Sequence, residues 1–232
     1  MKAEARVYSN RTRSAVDRRK HQADLAEIFN GTDNTAIEGI KRGLRVIQPV
    51  DHSHNTTIDT DTQRKNLHKY IMKSLPVLTT FDIRCAEWNS FQLEVRRKEA
   101  TTNVQAMVAL IKDLVGAGCF VLVENHWGND FWEIPEILEL VNDSDFHCGR
   151  GTVGVLSNSR GAVGVLSNSL EVFNSVLKRV SDKAHGPGTA IIDGLVELLQ
   201  NLGDERFATA PDPDDHLYKW QNSCAGWLAA GE

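Results

Sequence analysis

Short apolar runs alternate with longer amphipathic stretches along most of this chain, and this alternation limits the fold more than any other feature. It is typical of repeated βα units, which build a mostly parallel sheet with helices on both faces. We therefore predict an α/β fold that binds a nucleotide-like ligand at the carboxyl ends of its strands. The predicted strands are 24–29, 45–50, 76–82 and 119–124.

The amphipathic stretches between these runs predict the helices. In 98–116, apolar residues recur on one face, and Gly116 and Gly118 then favour the end of the helix. Pro135 stands where proline is favoured in the first turn of another helix. The predicted helices are 34–42, 62–74, 98–116, 134–141, 170–181 and 189–202.

Residues 151–160 (GTVGVLSNSR) are repeated almost verbatim by residues 161–170 (GAVGVLSNSL). Only two of the ten paired positions differ. A solenoid needs at least three copies with a period of about 20 residues or more, so we interpret this as one tandem duplication. We expect one copy to fill a strand and turn, and the other to be inserted as a loop.

Charge divides the chain into three predicted parts: a basic arm (1–22), the α/β domain (23–203) and an acidic tail (204–232). The first twenty residues carry a net charge of +5. The net charge of the whole chain is −5, so the remaining residues carry −10. This balance excludes a globally basic nucleic-acid binder but not a local basic surface. The arm lacks the apolar region of a secretory signal and is interpreted as a frayed terminus, with a transit peptide as the alternative.

The four cysteines are far apart, without a Cys-x-x-Cys pair or a histidine at zinc-finger spacing, so we predict no metal site. Reduced thiols fit a cytosolic or nuclear protein. No apolar run approaches the roughly 20 residues that span a bilayer. We therefore expect an intracellular protein, cytoplasmic or nuclear, without a membrane partner.

The first predicted strand leads through Phe29 and Gly31 into a helix. A glycine in such a turn lets a ligand approach the backbone at the amino end of the helix. Asp51 follows the second strand, about where an acidic residue meets a ribose hydroxyl in doubly wound folds. The alternative is an ordinary strand-to-helix turn capped by Asp33 or Asn34.

Cys85 follows the third predicted strand, where ligands bind, and the cations Arg96, Arg97 and Lys98 come soon after it. Neighbouring cations lower a thiol pKa and favour the nucleophilic thiolate, whereas the alternative is an inert buried cysteine. Glu124 emerges from the next strand and is a candidate proton donor or hydrogen-bonding clamp. The alternative interpretation is that Glu124 is an ordinary solvated residue at the end of a strand.

In this order the segments resemble the DNA cytosine-5 methyltransferases, most closely their short relatives in viral and mobile-element contexts, over about residues 24–169. The family's Asp-Leu-Phe-x-Gly turn for S-adenosylmethionine is matched by residues 24–25 and 29–31. Asp59 is chosen over Asp61 as its adenine-contacting aspartate. The resemblance implies a Rossmann-like methyltransferase sheet, and cofactor contacts from Asp24, Phe29, Gly31, Asp51 and Asp59.

The catalytic motifs of the family are matched next. Its Pro-Cys nucleophile corresponds to Arg84 and Cys85, and its Glu-Asn pair to Glu124 and Asn125. The short relatives also carry a Trp-Ser-x-x-Gln run, echoed by 88–92, then a Trp and a Pro, as at 132 and 135, and a Thr-Asn-Ser turn, as at 157–159 or 167–169. The departures are Arg84 in place of proline, Thr32 and Asp33 in place of two glycines, and a missing Gln-x-Arg motif.

The resemblance implies DNA methylation. The Cys85 thiolate would attack C6 of a flipped cytosine, Glu124 would hold N3, and C5 would take the methyl group. The DNA phosphates would be contacted by four cationic side chains, Arg84, Arg96, Arg97 and Lys98. One alternative is a non-catalytic interaction module for nucleic acid or protein, derived from a virus or mobile element. Another is a dinucleotide cofactor, which the missing Gly-x-Gly-x-x-Gly disfavours.

Overall fold

The structure is a computed structural model that describes residues 21–29, 34–50, 60–82, 94–128, 130–151, 163–179 and 187–204. For 34, 94–100, 178–179 and 187 the description covers the backbone. The strands are β1 (Ala23–Ile28), β2 (Pro76–Asp82), β3 (Phe120–His126), β4 (His147–Gly151) and β5 (Val163–Ser167). The helices are α1 (Asn34–Lys41), α2 (Asp61–Ser74), α3 (Glu94–Gly116), α4 (Pro135–Asn142), α5 (Leu170–Arg179) and α6 (Pro187–Asn201), with a 3-10 turn at Asp130–Glu133.

These strands form one mixed sheet in the order β1-β2-β3-β5-β4. Strands β1, β2 and β3 are parallel, whereas β5 runs antiparallel to both of its neighbours, β3 and β4. Bridges from Leu25 to Val46 and from Ile28 to Val50 place the segment 46–50 along the other side of β1. The predicted α/β class with a Rossmann-like sheet is confirmed.

Helices cover both faces of the sheet, as predicted. Ile28, Phe81 and Val123 point to the face covered by α2, α3 and α4, where Ile71, Ile111 and Ile137 are buried. Leu25, Leu78 and Leu122 point to the face where Val172 of α5 and Ile192 of α6 pack. Burial on both faces explains why these strands are continuous apolar runs in the sequence.

The differences from the predicted elements have local causes. Segment 45–50 pairs through single bridges and forms no regular strand, although it follows β1 as predicted. Strand β4 was not predicted, because its sequence, HCGRG, is short, glycine-rich and weakly apolar. β4 is stabilised by its pairing with β5 and by close packing against Phe173. A Cβ on Gly149 would lie only 2.8 Å from Cζ of Phe173.

The second copy of the duplication provides β5 and the turn after it. The Ser167 hydroxyl donates to the Val121 carbonyl (2.7 Å), and the Asn168 amide accepts from the Val121 N–H (2.7 Å) and donates to the Cys119 carbonyl (3.2 Å). Ser169 then caps α5 by accepting from the Val172 N–H (3.3 Å). Of the first copy, Gly151 ends β4, and the rest lies outside the described residues.

We predict that deleting residues 151–160 leaves a folded protein. The deletion would remove the terminal Gly151–Val163 pair and close the next pair, Arg150–Gly164, with the three residues 161–163, a common hairpin length. Loop length costs little free energy, so the unfolding free energy should change by about 1 kcal/mol or less. Urea denaturation measures it, and loss of cooperative unfolding would show that both copies are structural.

The repeat supplies a matched control for this deletion. Asn168→Ala leaves a buried N–H and carbonyl without partners and should cost roughly 2 kcal/mol or more. The same change in the first copy, Asn158→Ala, should cost clearly less. Equal losses in the two variants would contradict the assignment of the structural role to the second copy.

Candidate functional site

The carboxyl ends of β1, β2 and β3 form one edge of the sheet, and the strand order reverses there. From β1 the chain first places 46–50 on one side and then crosses to β2 on the other side. Ligands of open α/β sheets bind in the crevice at such a switch point. The candidate site is therefore centred on the ends of β1 and β2 and extends to β3.

Phe29 directly follows β1, and its backbone lies in the left-handed region, with φ of 67°. Its N–H donates to the Val50 carbonyl (2.8 Å), so the end of β1 is fixed to segment 46–50. A non-glycine residue in this region is uncommon and is frequent at ligand sites. Phe29 is half-buried at this edge, as predicted, whereas Gly31 lies outside the described residues.

Glu27 is a member of this edge that the sequence analysis missed. The residue is 2% exposed, and its Oε2 accepts from the Ala36 N–H of α1 (2.8 Å). A carboxylate at the amino end of a helix satisfies a free N–H and is favoured by the helix dipole. Glu27 therefore joins the end of β1 to the start of α1.

Glu124 lies near the carboxyl end of β3, directly opposite Asp82 of β2. The strand register places Glu27, Asp82 and Glu124 on the same face of three neighbouring strands. Glu124 is 6% exposed, and its Oε1 has no hydrogen-bond partner among the described residues. Burial raises its pKa to about 8, with smaller contributions from the negative charges of Asp82 and Glu27. Glu124 is therefore largely protonated at neutral pH.

Asn125 follows Glu124 and is also buried, at 5% exposure. Its Oδ1 accepts from the His126 N–H (2.7 Å), and its backbone pairs with Gly164 of β5. The Asn125 side chain thus fixes the backbone at the end of β3. The predicted pair Glu124–Asn125 is brought to the candidate edge, and Asn125 acts locally on the backbone there.

Asp24 occupies the other end of β1 from the predicted cofactor turn. It is fully buried and accepts from the Arg45 backbone N–H (2.7 Å) and from the Arg45 guanidinium (2.8 Å to Oδ1). This arrangement joins the start of β1 to segment 45–46. We therefore assign Asp24 a structural role and leave it out of the proposed cofactor site.

Several predicted site residues fall outside the described part of the chain: Gly31, Asp51, Asp59, Arg84 and Cys85. Cys85 follows Asp82, the register partner of Glu124, by three residues in sequence. Arg96, Arg97 and Lys98 belong to the first turns of α3, of which the backbone is described.

A small cleft opens beside this edge, between α2 and α3. Phe29 and Phe81 mark its end nearest the strand termini, and the Arg64 guanidinium donates to Asn103 (3.1 Å) at its margin. The remaining lining residues are Leu67, His68, Ala106, Met107 and Leu110. The cleft is small and mostly apolar, with polar groups from Arg64, His68 and Asn103 in its lining.

The described residues contain neither a metal-binding cluster nor a membrane-spanning helix. No three His, Cys, Asp or Glu side chains there are placed to hold a metal ion. No helix in the described ranges is long and apolar enough to cross a membrane.

Comparison with solved structures finds similarity to the Dnmt2 methyltransferase of S. pombe, at 13% sequence identity and a TM-score of 0.36. The similar region covers 70% of this chain and 57% of that one. No protein-family model matches the chain, and no curated protein sequence matches it. The fold assignment rests on the sheet topology given above.

We predict a fall in stability with rising pH that depends on Glu124. A glutamate in the unfolded chain titrates near pH 4.3, whereas folded Glu124 keeps its proton up to about 8. The native state therefore binds more protons across this interval, and the unfolding free energy decreases as pH rises through it. Glu124→Gln should lack this decrease, so its unfolding free energy relative to that of the wild type should be roughly 4 kcal/mol higher near pH 9 than near pH 5 in urea denaturation.

The exposed Glu197 provides the control, since Glu197→Gln should keep the wild-type pH dependence. Asp82→Asn removes a neighbouring negative charge and should move the decrease to lower pH. An identical pH dependence in wild type and Glu124→Gln would contradict the assignment.

Proposed function

We propose that this chain is a DNA cytosine-5 methyltransferase-like protein that binds S-adenosylmethionine at the β1–β2 edge and holds cytosine with Glu124. The observation that carries this proposal is the buried Glu124 carboxyl, with one oxygen free of described hydrogen-bond partners. It lies on the strand next to the one that leads to Cys85. A proton-bearing carboxyl at a switch point supports this chemistry better than a purely structural role does.

The protonation of Glu124 suits cytosine in particular. N3 of cytosine is a hydrogen-bond acceptor, so a protonated carboxyl can donate to it, whereas a carboxylate would be repelled. A pKa of about 8 keeps the donor form at neutral pH. When a thiolate adds at C6, negative charge develops on the ring toward N3, and a donor already placed there stabilises that charge.

Cys85 would be the nucleophile. Its thiolate would form a bond to C6, which makes C5 electron-rich, and loss of the C5 proton after methylation would release the enzyme. Arg84 stands where the family has proline. A guanidinium beside the thiol favours the thiolate but also occupies space near the base, so Arg84 decides how efficient this step is.

The residues at this edge fit S-adenosylmethionine, which supplies an electrophilic methyl group when bound. The molecule carries a sulfonium and an ammonium cation, and the acidic side chains of Glu27 and Asp82 occur at this edge on two neighbouring strands. Half-buried Phe29, directly after β1, would pack against an aromatic ring of the ligand. In the proposal Gly31, Asp51 and Asp59 complete the cofactor contacts.

DNA would be held by phosphate contacts from Arg84, Arg96, Arg97 and Lys98. The last three belong to the first turns of α3, where the helix dipole adds to their positive charge. Such contacts give affinity and salt dependence without sequence information. In this proposal α3 positions the DNA, and the edge formed by β1, β2 and β3 carries the chemistry.

A second candidate is a non-catalytic interaction module descended from such an enzyme in a virus or mobile element. It is favoured by Arg84, Thr32 and Asp33, which depart from the family pattern, and by the tandem duplication. The two candidates differ in cofactor binding and in covalent chemistry.

We predict that S-adenosylmethionine stabilises the protein. Ligand at about 100 times its Kd adds about 2.7 kcal/mol by mass action, which should raise the Tm by several degrees. Glu27→Gln removes a carboxylate from the edge and should reduce the shift, whereas exposed Glu133→Gln should not. No shift at millimolar cofactor, with folded protein confirmed, removes the methyltransferase proposal.

We predict covalent trapping by DNA that contains 5-fluorocytosine, in the presence of S-adenosylmethionine. The intermediate cannot lose fluorine as it loses a proton, so an adduct should survive denaturation on a gel. Cys85→Ala should abolish it. The control is Cys119→Ala, since Cys119 precedes β3 at its amino end and burial raises its thiol pKa to about 11.

The other variants test the roles of Glu124 and Arg84. Glu124→Gln should slow trapping by about 100-fold or more while cofactor binding persists. Arg84→Pro restores the family residue, and faster trapping would show that Arg84 impairs the step. If wild type and Arg84→Pro both form no adduct although the cofactor binds, the chain is the non-catalytic module.

A further inference from the structure

Trp127 is an exposed aromatic residue beside the candidate site. It occupies the turn directly after β3, three residues after Glu124, and is 36% exposed. Among the large apolar side chains exposed in the described part of the chain, Trp127 is the aromatic one, with Leu138 and Leu170 elsewhere. Its place directly after the strand that carries Glu124 makes Trp127 a candidate for contact with a ligand at this edge.

The Trp127 ring is held from one side by a second tryptophan. The centroids of Trp127 and Trp132 are 5.8 Å apart, with the rings tilted by 40°. Trp132 is itself fixed, because its Nε1–H donates to the His126 carbonyl (3.0 Å) and Phe131 packs edge-on against it at 5.1 Å. The supporting side of Trp127 is therefore rigid.

Gly164 of β5 makes this arrangement possible. A Cβ at Gly164 would lie 2.3 Å from Cζ2 of Trp132 and 2.8 Å from Cε3 of Trp127, so only glycine leaves room for both rings. Gly164 pairs with Asn125, the neighbour of Glu124. The turn is closed by the Gly128 N–H, which donates to Nδ1 of His126 (3.2 Å). The tryptophan pair is thus tied to the backbone that positions Glu124.

We propose that Trp127 is a stacking platform for a nucleobase of the same strand as the cytosine held by Glu124. This inference rests on the proposed function. At about 3.3 Å per residue, Trp127 lies about 10 Å beyond Glu124 along the strand direction, a distance of a few stacked bases. A flat, pre-positioned ring stacks on any base with little loss of side-chain entropy.

A nucleobase fits this surface better than a protein partner does. In the described part of this edge the exposed apolar area is one ring, flanked by exposed His126 and Gly128. A protein interface needs a wider apolar centre than one ring offers. A base matches the area of one indole ring, and a base unstacked beside a flipped cytosine needs a replacement stacking partner.

The test is binding of a fluorescein-labelled single-stranded oligodeoxynucleotide of thymidines with one central cytosine, measured by anisotropy on the full chain. Trp127→Ala should bind about 5- to 150-fold more weakly, the range that one aromatic–base stack supplies. Trp127→Phe should keep an intermediate affinity, and Leu138→Ala, which removes another exposed apolar side chain, should bind as wild type does. Tryptophan fluorescence should be quenched by the oligonucleotide in wild type and much less in Trp127→Phe.

The outcomes separate this inference from the proposed function. Unchanged affinity in folded Trp127→Ala overturns the stacking role, and so does a wild type that binds no oligonucleotide, which would leave Trp127 to a protein partner. In both cases a thermal shift with S-adenosylmethionine leaves the methyltransferase proposal standing. Trp127-dependent oligonucleotide binding without any cofactor shift gives the opposite result: a nucleic-acid module that is not a methyltransferase. Trp127→Phe tests the role if the alanine variant does not fold.

Discussion

Helices cover both faces of the sheet, so every charged side chain that points inward from a strand has to be compensated inside the protein. Asp24 is compensated by the guanidinium and backbone N–H of Arg45, and Glu27 by a free N–H at the start of α1. Glu124 has no such partner on Oε1 among the described residues, and it is compensated by keeping its proton. Asp24, Glu27 and Glu124 thus meet the same constraint in three different ways, and the way of Glu124 suits a hydrogen-bond donor to a base.

Among the described residues Glu124 Oε1 has no hydrogen-bond partner, which costs stability and favours a functional explanation. A buried polar atom without a hydrogen bond costs about 1 to 3 kcal/mol, and many apolar residues of similar volume would fill the position without this loss. Natural proteins break such rules mainly at functional sites. The neighbouring backbone, by contrast, is fully supported, since the Ser167–Asn168 turn bonds both groups of Val121. A rigid strand therefore presents a buried carboxyl whose Oε1 has no partner in the described part of the chain, which is the arrangement expected of a positioned acid.

The sequence predicted the elements with strong local signals. Strand β2 was predicted with its observed bounds, because an apolar run lies between Pro76 and Asp82. Strand β4 was missed, because its stability comes from β5 and from Phe173 packing on Gly149. The start of α3 was placed four residues late, at Lys98 instead of Glu94, because the charged first turn hides the helical period.

The site was predicted in part. Glu124 and Phe29 were found because each follows an apolar run, and Asp24 was assigned to the cofactor from a motif although it lies at the amino end of β1. Glu27 and Asp82 were missed, although an acidic residue inside or at the end of an apolar run is a usable signal. The Trp127 platform depends on Gly164, which is distant in sequence and contacts both rings only after β5 pairs with β3.

The duplication is placed where it affects the site more than the core. Its second copy carries the hydrogen bonds that fix β3, and both ends of the connection between β4 and β5, Gly151 and Val163, lie at the carboxyl edge, since Val163 pairs with His126. Ten additional residues between paired strands leave both core clusters intact, because the residues that fill them belong to other segments or to the second copy. The insertion therefore lengthens a connection whose two described ends lie at the edge that carries Glu124, while the core clusters that support this edge stay as they are.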